Sequence, residues 1–396
     1  MENLSGSMSI SRRDFLRDAA VVGAGVALLP RTGRASTPSG DGVWLHGDLH
    51  CHTVYSHDVW GGPGDDNTGI DQAYTLGWTP GEQIQLAELR GLDFLAITDH
   101  NRIDALRDPG YTSSKLTLIP GYEHSLSHGH AGCIGIDFRD RRLDPTFATF
   151  MSIDTSNDAG AVQLRDAVHA AGGTFILNHP FYDKGWGYSP AVRPDSVEVW
   201  NIAWPYRHVA TKVVSNVPST PAVSDDYKSL PYWESAFLRT GRMPATGGSD
   251  NHYRATTAAQ GVGQPTTWVY AADRSWRSIL DGIKAGRTFV AAEPPLLGGI
   301  TIDLTARSGS ASWMVGDTIP ATAGNVTVSA RIRNAVGHWV VFVVDGVARP
   351  RHRILLPDAT TVTTVDAASA HRVRVEVYLD RNYWMGALTS PIYFGA

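Results

Sequence analysis

Short apolar runs that end in histidine or carboxylate residues are the feature that most constrains the fold of this chain. The first run, residues 43–49, leads into His50-Cys51-His52. Alternate side chains of a β-strand share a face, so His50 and His52 point the same way and Cys51 points the opposite way. Similar runs lead into TDHN (98–101), GYEH (121–124), NHP (178–180) and SDNH (249–252), and SHGH (127–130) precedes another. Residue types that bind metals therefore lie where strands are predicted to end.

The segments between these runs predict helices. Residues 79–90 (TPGEQIQLAELR) have Thr79 at the expected N-cap and Pro80 in the first turn. Residues 161–171 predict a second helix, which ends at Gly172-Gly173. Alternating strands and helices indicate an α/β fold, either a barrel or an open sheet. We favour the barrel, because its strand ends meet on one rim and collect ligands from many strands.

The motifs resemble those of the PHP family, named for polymerase and histidinol phosphatase. The resemblance covers residues 43–292 and is carried by HCHTVYSHD, TDHN, the glutamate of GYEHS, HAGCIG, NHP and SDNH. It implies a distorted seven-stranded (β/α) barrel with up to three metal ions at the strand ends. It also implies nine ligands: His50, His52, Asp58, His100, Glu123, His130, His179, Asp250 and His252. His57 competes with Asp58 for the third position.

The chemistry of these residue types fits the resemblance. Imidazole and carboxylate groups bind zinc, manganese and iron, and a set without thiolates is unlike a structural zinc site. A carboxylate such as Glu123 or Asp250 can bridge two cations, and a hydroxide between them can act as the nucleophile. We therefore expect a hydrolase with a trinuclear centre, in which Glu123, Asp250, His252 and Asp99 are the catalytic residues.

Further residues near the motifs have predicted supporting roles. Asp48 and Asp99 are candidates for orienting the metal-binding imidazoles, although Asp99 also fits a helix N-cap. Arg102 and Arg254 follow TDHN and SDNH and could bind a substrate phosphate; the alternative is that both are surface arginines. The predicted substrate is a small molecule, since a net charge of −5 gives no electrostatic reason to expect nucleic acid.

Residues 294–396 lose the helical periodicity and show short alternating strands, which predict a small all-β sandwich after a barrel at residues 43–293. Asp345-Gly346 predicts a hairpin turn. This tail resembles that of the CehA/McbA group of metallohydrolases. Phosphomonoester or phosphodiester hydrolysis is the favoured activity. The alternatives are carbamate, ester or amide hydrolysis and a non-catalytic, metal-stabilised binding protein.

The aromatic segment between Trp200 and Met243 is expected to overhang the metal site, as a substrate wall or as part of the core. The only two cysteines, Cys51 and Cys133, fit either buried free thiols or a disulfide.

The first residues predict export. SRRDFLR (11–17) followed by an apolar stretch (19–29) is typical of a twin-arginine signal peptide, here residues 1–35, with a linker at 36–42. The expected location is periplasmic or extracellular. The apolar stretch is short for a membrane span, so we expect no stable membrane insertion once the signal is removed. A retained N-terminal anchor is the alternative.

Overall fold

A computed structural model describes residues 42–59, 77–181, 185–201, 228–252, 261–379 and 384–395. The predicted signal peptide, Arg254 and the aromatic residues at 202–227 lie outside these ranges. The described residues belong to one compact unit, Pro38–Ala396. No helix among them is long and apolar enough to cross a membrane.

Helices connect the strands of the first part of the chain, and their ends follow from capping residues. Both predicted helices are present. Thr79 caps the first through its side chain, which accepts from the Glu82 N–H, and Glu82 accepts from the Thr79 N–H in return. The second starts three residues before the predicted start because Asn157 caps it. The helices are α1 (Pro80–Leu89), α2 (Asp144–Met151), α3 (Asp158–Ala170), α4 (Ser229–Tyr232) and α5 (Trp276–Lys284), and a π-helix (Trp233–Leu238) continues α4.

Two sheets carry the motif-bearing strands. The strands are β1 (Val43–Asp48), β2 (Phe94–Ala96), β3 (Thr117–Ile119), β4 (Gly121–Leu126), β5 (Gly129–Ile134), β6 (Thr174–Asn178), β7 (Ser196–Asn201), β8 (Ala245–Gly248), β9 (Thr266–Ala271) and β10 (Thr288–Ala291). In the first sheet β1, β2 and β3 are parallel, while β9 pairs antiparallel with both β1 and β10. The second has the order β4-β5-β6-β7-β8, with β6, β7 and β8 parallel.

Single β-bridges join these two sheets; three of the four bridging residues lie beyond strand ends, and Glu123 lies within β4. One bridge pairs Cys51 with Asn251, and the other pairs His100 with Glu123. Each bridge contains a motif residue, so the sheets approach each other where the candidate ligands lie. The mixed α/β class is confirmed; the seven-stranded barrel stays a prediction, because the described ladders are open sheets joined by single bridges.

The C-terminal strands form a further sheet and extend the first one. They are β11 (Thr301–Ser308), β12 (Ala311–Met314), β13 (Thr318–Pro320), β14 (Asn325–Arg333), β15 (Trp339–Val344), β16 (Val347–Ala348), β17 (His352–Arg353), β18 (Asp358–Asp366), β19 (Arg372–Leu379), β20 (Trp384–Thr389) and β21 (Ile392–Gly395). The further sheet has four strands in the order β12-β11-β14-β18, and the first sheet is extended through the pairing of β10 with β20. One apolar cluster includes residues from both, such as Leu304 and Val328 of the four-stranded sheet and Phe342 and Val375 of the extended sheet. A separate sandwich domain beginning at residue 294 stays a prediction, since β10 and β20 share one ladder.

Two local predictions about this architecture are confirmed. Val344 pairs with Val347 across a hairpin turn, and Asp345 and Gly346 adopt the positive φ values of 52° and 80° that such a turn requires. Cys51 and Cys133 are free, fully buried thiols within one apolar cluster, so the disulfide alternative does not apply.

Candidate metal centre

His50 and His52 project from the loop after β1 and form one side of the site. Their Nε2 atoms lie 3.1 Å apart. Asp250 Oδ1 lies 3.3 Å from Nε2 of His50 and 3.0 Å from Nε2 of His52. Glu123 Oε2 approaches the same two nitrogens at 3.2 and 3.3 Å. These four buried side chains can offer ligand atoms to one cation.

Asp58 and His252 extend the site on the side of His52. Asp58 Oδ2 lies 2.8 Å from His252 Nε2 and 3.4 Å from His100 Nε2. Together with His52, they form a second group with convergent ligand atoms. The carboxylate of Asp58, rather than the His57 ring, belongs to this group.

Glu123 lies at the centre of the cluster. Besides the two histidines after β1, its oxygens approach His100 Nδ1 at 3.2 Å, His130 Nδ1 at 3.6 Å and His179 Nε2 at 3.2 Å. The amide of Asn178 donates to Oε1 at 2.8 Å. His100, Glu123 and His130 make a third group of ligand types. The structure thus brings all nine predicted ligands into one connected cluster.

Unsatisfied polar atoms show that this cluster fits cations. Oδ1 of Asp250, Oδ1 of Asp58 and Nδ1 of His130 are buried and have no hydrogen-bond partner among the described residues. Buried polar atoms of this kind are costly unless a ligand or ion satisfies them. Asp250 Oδ1 lies close to several imidazole nitrogens without hydrogen-bonding geometry, as expected for lone pairs that converge on a shared cation. A divalent metal is the ligand that this donor set fits.

The backbone is strained at three of the motifs. Asn101, His179 and Asp250 have positive φ values of 52°, 22° and 49°. Such conformations are costly for residues other than glycine and persist where surrounding contacts impose them. Two of the three, His179 and Asp250, are predicted ligands. The unfavourable backbone conformation at these positions indicates that placing their side chains costs local stability.

The carboxylates of the cluster are held in the charged form. Burial alone raises the pKa of Glu123, but the His50, His100 and His130 imidazoles outweigh it and hold that pKa well below its ordinary value. For Asp250, burial is likewise outweighed by His50 and His252, so its pKa is also well below the ordinary value. Burial lowers the pKa of His130 to about 3, which keeps this imidazole neutral and able to bind a cation.

Metal binding is expected to release protons. Burial opposes charge on His252 and His179, but Asp58 raises the pKa of His252 to about 10, and Glu123 raises that of His179 to about 9. Burial likewise opposes charge on His50, but Glu123 and Asp250 hold its pKa well above the ordinary value. Without metal, all three imidazoles are therefore protonated at neutral pH, and cations must displace protons from them. Affinity should rise with pH up to these pKa values. Calorimetric titration with Zn²⁺ in two buffers of different ionisation enthalpy measures the released protons; a binding enthalpy independent of the buffer would contradict the expectation.

Asp48 and Asp99 hydrogen-bond to residues of the ligand-bearing loops rather than to the imidazoles. Asp48 accepts from the backbone N–H groups of His50, Ser249 and Gly263 at 3.1, 3.1 and 2.6 Å. Asp99 accepts from the N–H and hydroxyl of Thr53 at 2.6 and 2.7 Å. The prediction that these two carboxylates hydrogen-bond to imidazoles is therefore wrong. The alternative that Asp99 caps a helix is also wrong, because the next helical turn, Asp104–Arg107, has Ile103 at its N-cap. Both carboxylates fix the loops that carry ligands.

Hydroxyl groups and one unpredicted carboxylate contact the imidazoles directly. Ser56 Oγ lies 3.1 Å from His52 Nδ1, and Ser125 Oγ lies 3.0 Å from His100 Nδ1. Glu198 Oε1 lies 3.2 Å from His50 Nδ1. Sequence reasoning missed Glu198, although a glutamate between valines in an apolar run (SVEVW) is a signal that could have found it.

Of the two predicted phosphate-binding arginines, Arg102 lies among the described residues. Arg102 is 40% exposed and lies 3.6 Å from Asp104 in an ion pair. Arg254 lies outside the described residues. Their role in substrate binding stays a prediction.

The aromatic segment contributes to the core where it is described. Trp200 and Trp233 are buried in one apolar cluster, and the Trp233 indole N–H donates to the Met243 carbonyl at 3.1 Å. Core packing is therefore the observed role of these two residues. The substrate-wall alternative stays a prediction for Trp204 and Tyr206, which lie outside the described residues.

Gly248, at the end of β8, leaves room for the contact between His50 and Glu198. A Cβ atom there would lie 2.4 Å from both His50 Cβ and Glu198 Oε1. We expect Gly248→Ala to displace His50 and to weaken metal binding about tenfold or more. Gly81→Ala is the control, because its Cβ would meet other atoms only at 3.5 Å. Equal metal affinity for both variants in a competition titration with a chromogenic chelator would contradict this expectation.

Comparison with known proteins identifies no family for this chain. No protein-family model and no curated protein matches it. A two-domain protein from Bacteroides vulgatus, described as containing a predicted PHP-like metal-dependent phosphoesterase, is 15% identical, with a TM-score of 0.43 over 92% of this chain and 100% of that chain. An amidohydrolase from Chromobacterium violaceum with bound sulfate and no metal is 16% identical, with a TM-score of 0.34 over 52% of this chain and 88% of that chain.

Proposed function

We propose that this protein is a metal-dependent hydrolase of small phosphoesters, with a distorted seven-stranded PHP-type barrel around its metal centre. One observation carries the proposal: a buried carboxylate, Glu123, lies within 3.6 Å of five imidazoles from four separate motifs. A protein that needed only stability would not collect so many unsatisfied ligand atoms in one place.

The two central carboxylates of the cluster, Glu123 and Asp250, have definite parts in this function. Glu123 and Asp250 are ionised and supply the negative charge that two or more cations require. Glu123 offers both oxygens, Oε2 toward His50 and His100 and Oε1 toward His130 and His179, so it is suited to bridging two cations. Divalent ions held here would provide Lewis acidity and lower the pKa of water near neutral pH. No serine or cysteine nucleophile is needed.

The second candidate is hydrolysis of a carbamate, ester or amide at the same centre. The ion pair between Arg102 and Asp104 favours it, because a guanidinium with a carboxylate partner is less free to hold a phosphate. The resemblance of the tail to the CehA/McbA group points the same way.

Export through the twin-arginine route is also proposed, and it would let the folded protein acquire its metal before it leaves the cell.

A substrate panel tests the bond that is cleaved. Purified protein loaded separately with zinc, manganese or iron would be assayed with p-nitrophenyl phosphate, bis-p-nitrophenyl phosphate, p-nitrophenyl acetate and a p-nitrophenyl carbamate. We expect the phosphoesters to be hydrolysed fastest. Turnover of the acyl substrates alone would select the second candidate, and a fully loaded protein without any turnover would support a binding protein.

A further inference from the structure

Glu198 is a buried carboxylate that contacts two residues of the metal centre. Glu198 is only 2% exposed to solvent. Oε1 lies 3.2 Å from His50 Nδ1. Oε2 accepts from the backbone N–H of His179 at 2.9 Å and from the side-chain amide of Asn201 at 3.0 Å. One side chain on β7 therefore joins the loop after β1 to the loop after β6.

The contact with His50 decides which ring nitrogen can bind a cation. A carboxylate only accepts hydrogen bonds, so His50 Nδ1 carries the proton in this contact. Once a cation displaces the other ring proton, the lone pair resides on Nε2, which lies 3.2 Å from Glu123 Oε2 and 3.3 Å from Asp250 Oδ1. Carboxylates in this position orient a metal-binding imidazole and raise its basicity.

The contact with His179 stabilises a strained backbone. His179 has a φ of 22° and precedes Pro180, which further limits its conformations. The hydrogen bond from its N–H to Glu198 helps to hold that conformation. This places the His179 side chain 3.2 Å from Glu123 Oε1.

Neighbouring residues leave space for Glu198 and keep its carboxylate buried. β7 and β8 run parallel, and the register shifts between Glu198 and Trp200. Thr246 is the register partner of Glu198, and Gly248, two residues further along β8, is the position where a Cβ atom would meet both Glu198 and His50. Among the described residues, the side chains at hydrogen-bond distance from the Glu198 carboxylate are those of Asn201 and His50.

We propose that Glu198 is a positioning residue of the metal centre: it fixes His50 in the Nδ1–H tautomer and holds His179 in its strained conformation. The inference rests on the proposed function, because it assigns these two histidines to a bound cation. Glu198 itself touches no substrate.

The test measures metal affinity and the state of His50, both without turnover. Wild-type protein and Glu198→Gln would be stripped of metal and titrated calorimetrically with Zn²⁺. We expect Glu198→Gln to bind about 10- to 100-fold more weakly. In ¹⁵N–¹H spectra of the zinc-loaded protein, the Nδ1 proton of His50, assigned by its absence in His50→Gln, should shift when Glu198 is replaced.

Glu376→Gln is the matched control, because it neutralises another fully buried glutamate, whose carboxylate contacts Arg374 and Tyr378. Its zinc affinity should equal that of wild type. Glu198→Asp covers the case in which Glu198→Gln does not fold: it keeps the charge but retracts the carboxylate, and it too should weaken binding.

Two outcomes would overturn the inference. Wild-type affinity in the variants at position 198, with an unshifted His50 proton, would refute the role of Glu198 and leave the proposed function intact. A wild-type protein that binds no zinc, manganese or iron would refute both.

Discussion

Glu123→Gln is expected to lower kcat/KM for the best phosphoester substrate by about 10³-fold or more and to reduce the number of bound metal ions. Glutamine keeps the shape of the side chain but removes the charge that faces the imidazoles of the centre. Glu123 is fully buried, so bulk solvent does not replace the lost charge. Its carboxylate also belongs to two of the three ligand groups, and one substitution therefore affects more than one cation. The measurements are steady-state kinetics and elemental analysis of the purified variant.

The control again uses a buried glutamate outside the cluster. Glu376→Gln should retain wild-type metal content and activity if its protein is folded, because its carboxylate contacts Arg374 and Tyr378 instead of the cluster. A Glu123→Gln protein that keeps full metal content and wild-type turnover would contradict the assignment of Glu123 to the centre.

Removal of metal is expected to destabilise the protein strongly. An ion that binds only the folded state, at a free concentration of about 1,000 times its Kd, adds about 4 kcal/mol to the free energy of unfolding. With an unfolding entropy of about 2 cal/mol/K per residue, a chain of this size should lose about 5 °C in Tm when a chelator removes the ion. Differential scanning calorimetry of the protein with and without chelator measures the change, and added Zn²⁺ or Mn²⁺ should reverse it.

Glu123→Gln is also the control for this second experiment. Since that variant is expected to hold less metal, its Tm should respond much less to the chelator than the wild-type Tm. A wild-type Tm that is unchanged by chelation, in a sample shown to contain metal beforehand, would mean that the ions do not bind preferentially to the folded cluster.

The positions of the candidate ligands could be predicted because they depend on local patterns. Most lie near the end or start of an apolar run, and strand alternation alone places His50 and His52 on one face. Asp58 lies further from such a run, and its assignment depends on the resemblance to the PHP motifs. The capping residues Thr79 and Asn157 likewise define helix starts through contacts three residues away. Such short-range features can be read from the chain before any pairing of strands is known.

The supporting contacts could not be predicted because they depend on the pairing of distant segments. Glu198 and His50 are 148 residues apart, and their contact requires the register of β7 against β8 and the space at Gly248. Asp48 reaches the backbone of Ser249 and Gly263 for the same kind of reason. The ladder between β10 and β20 joins the tail to the first sheet. No local sequence pattern shows that the edge of β10 pairs with a strand about 100 residues further along the chain.

Anomalous diffraction from crystals of the purified protein, collected at the zinc, iron and manganese absorption edges, tests the central claim most directly. We predict anomalous peaks within coordination distance of Glu123 and Asp250, with His50 Nε2 and His52 Nε2 among the ligands. Ordered side chains of all nine residues, without any anomalous peak between them in a sample that hydrolyses phosphoesters, would contradict the account.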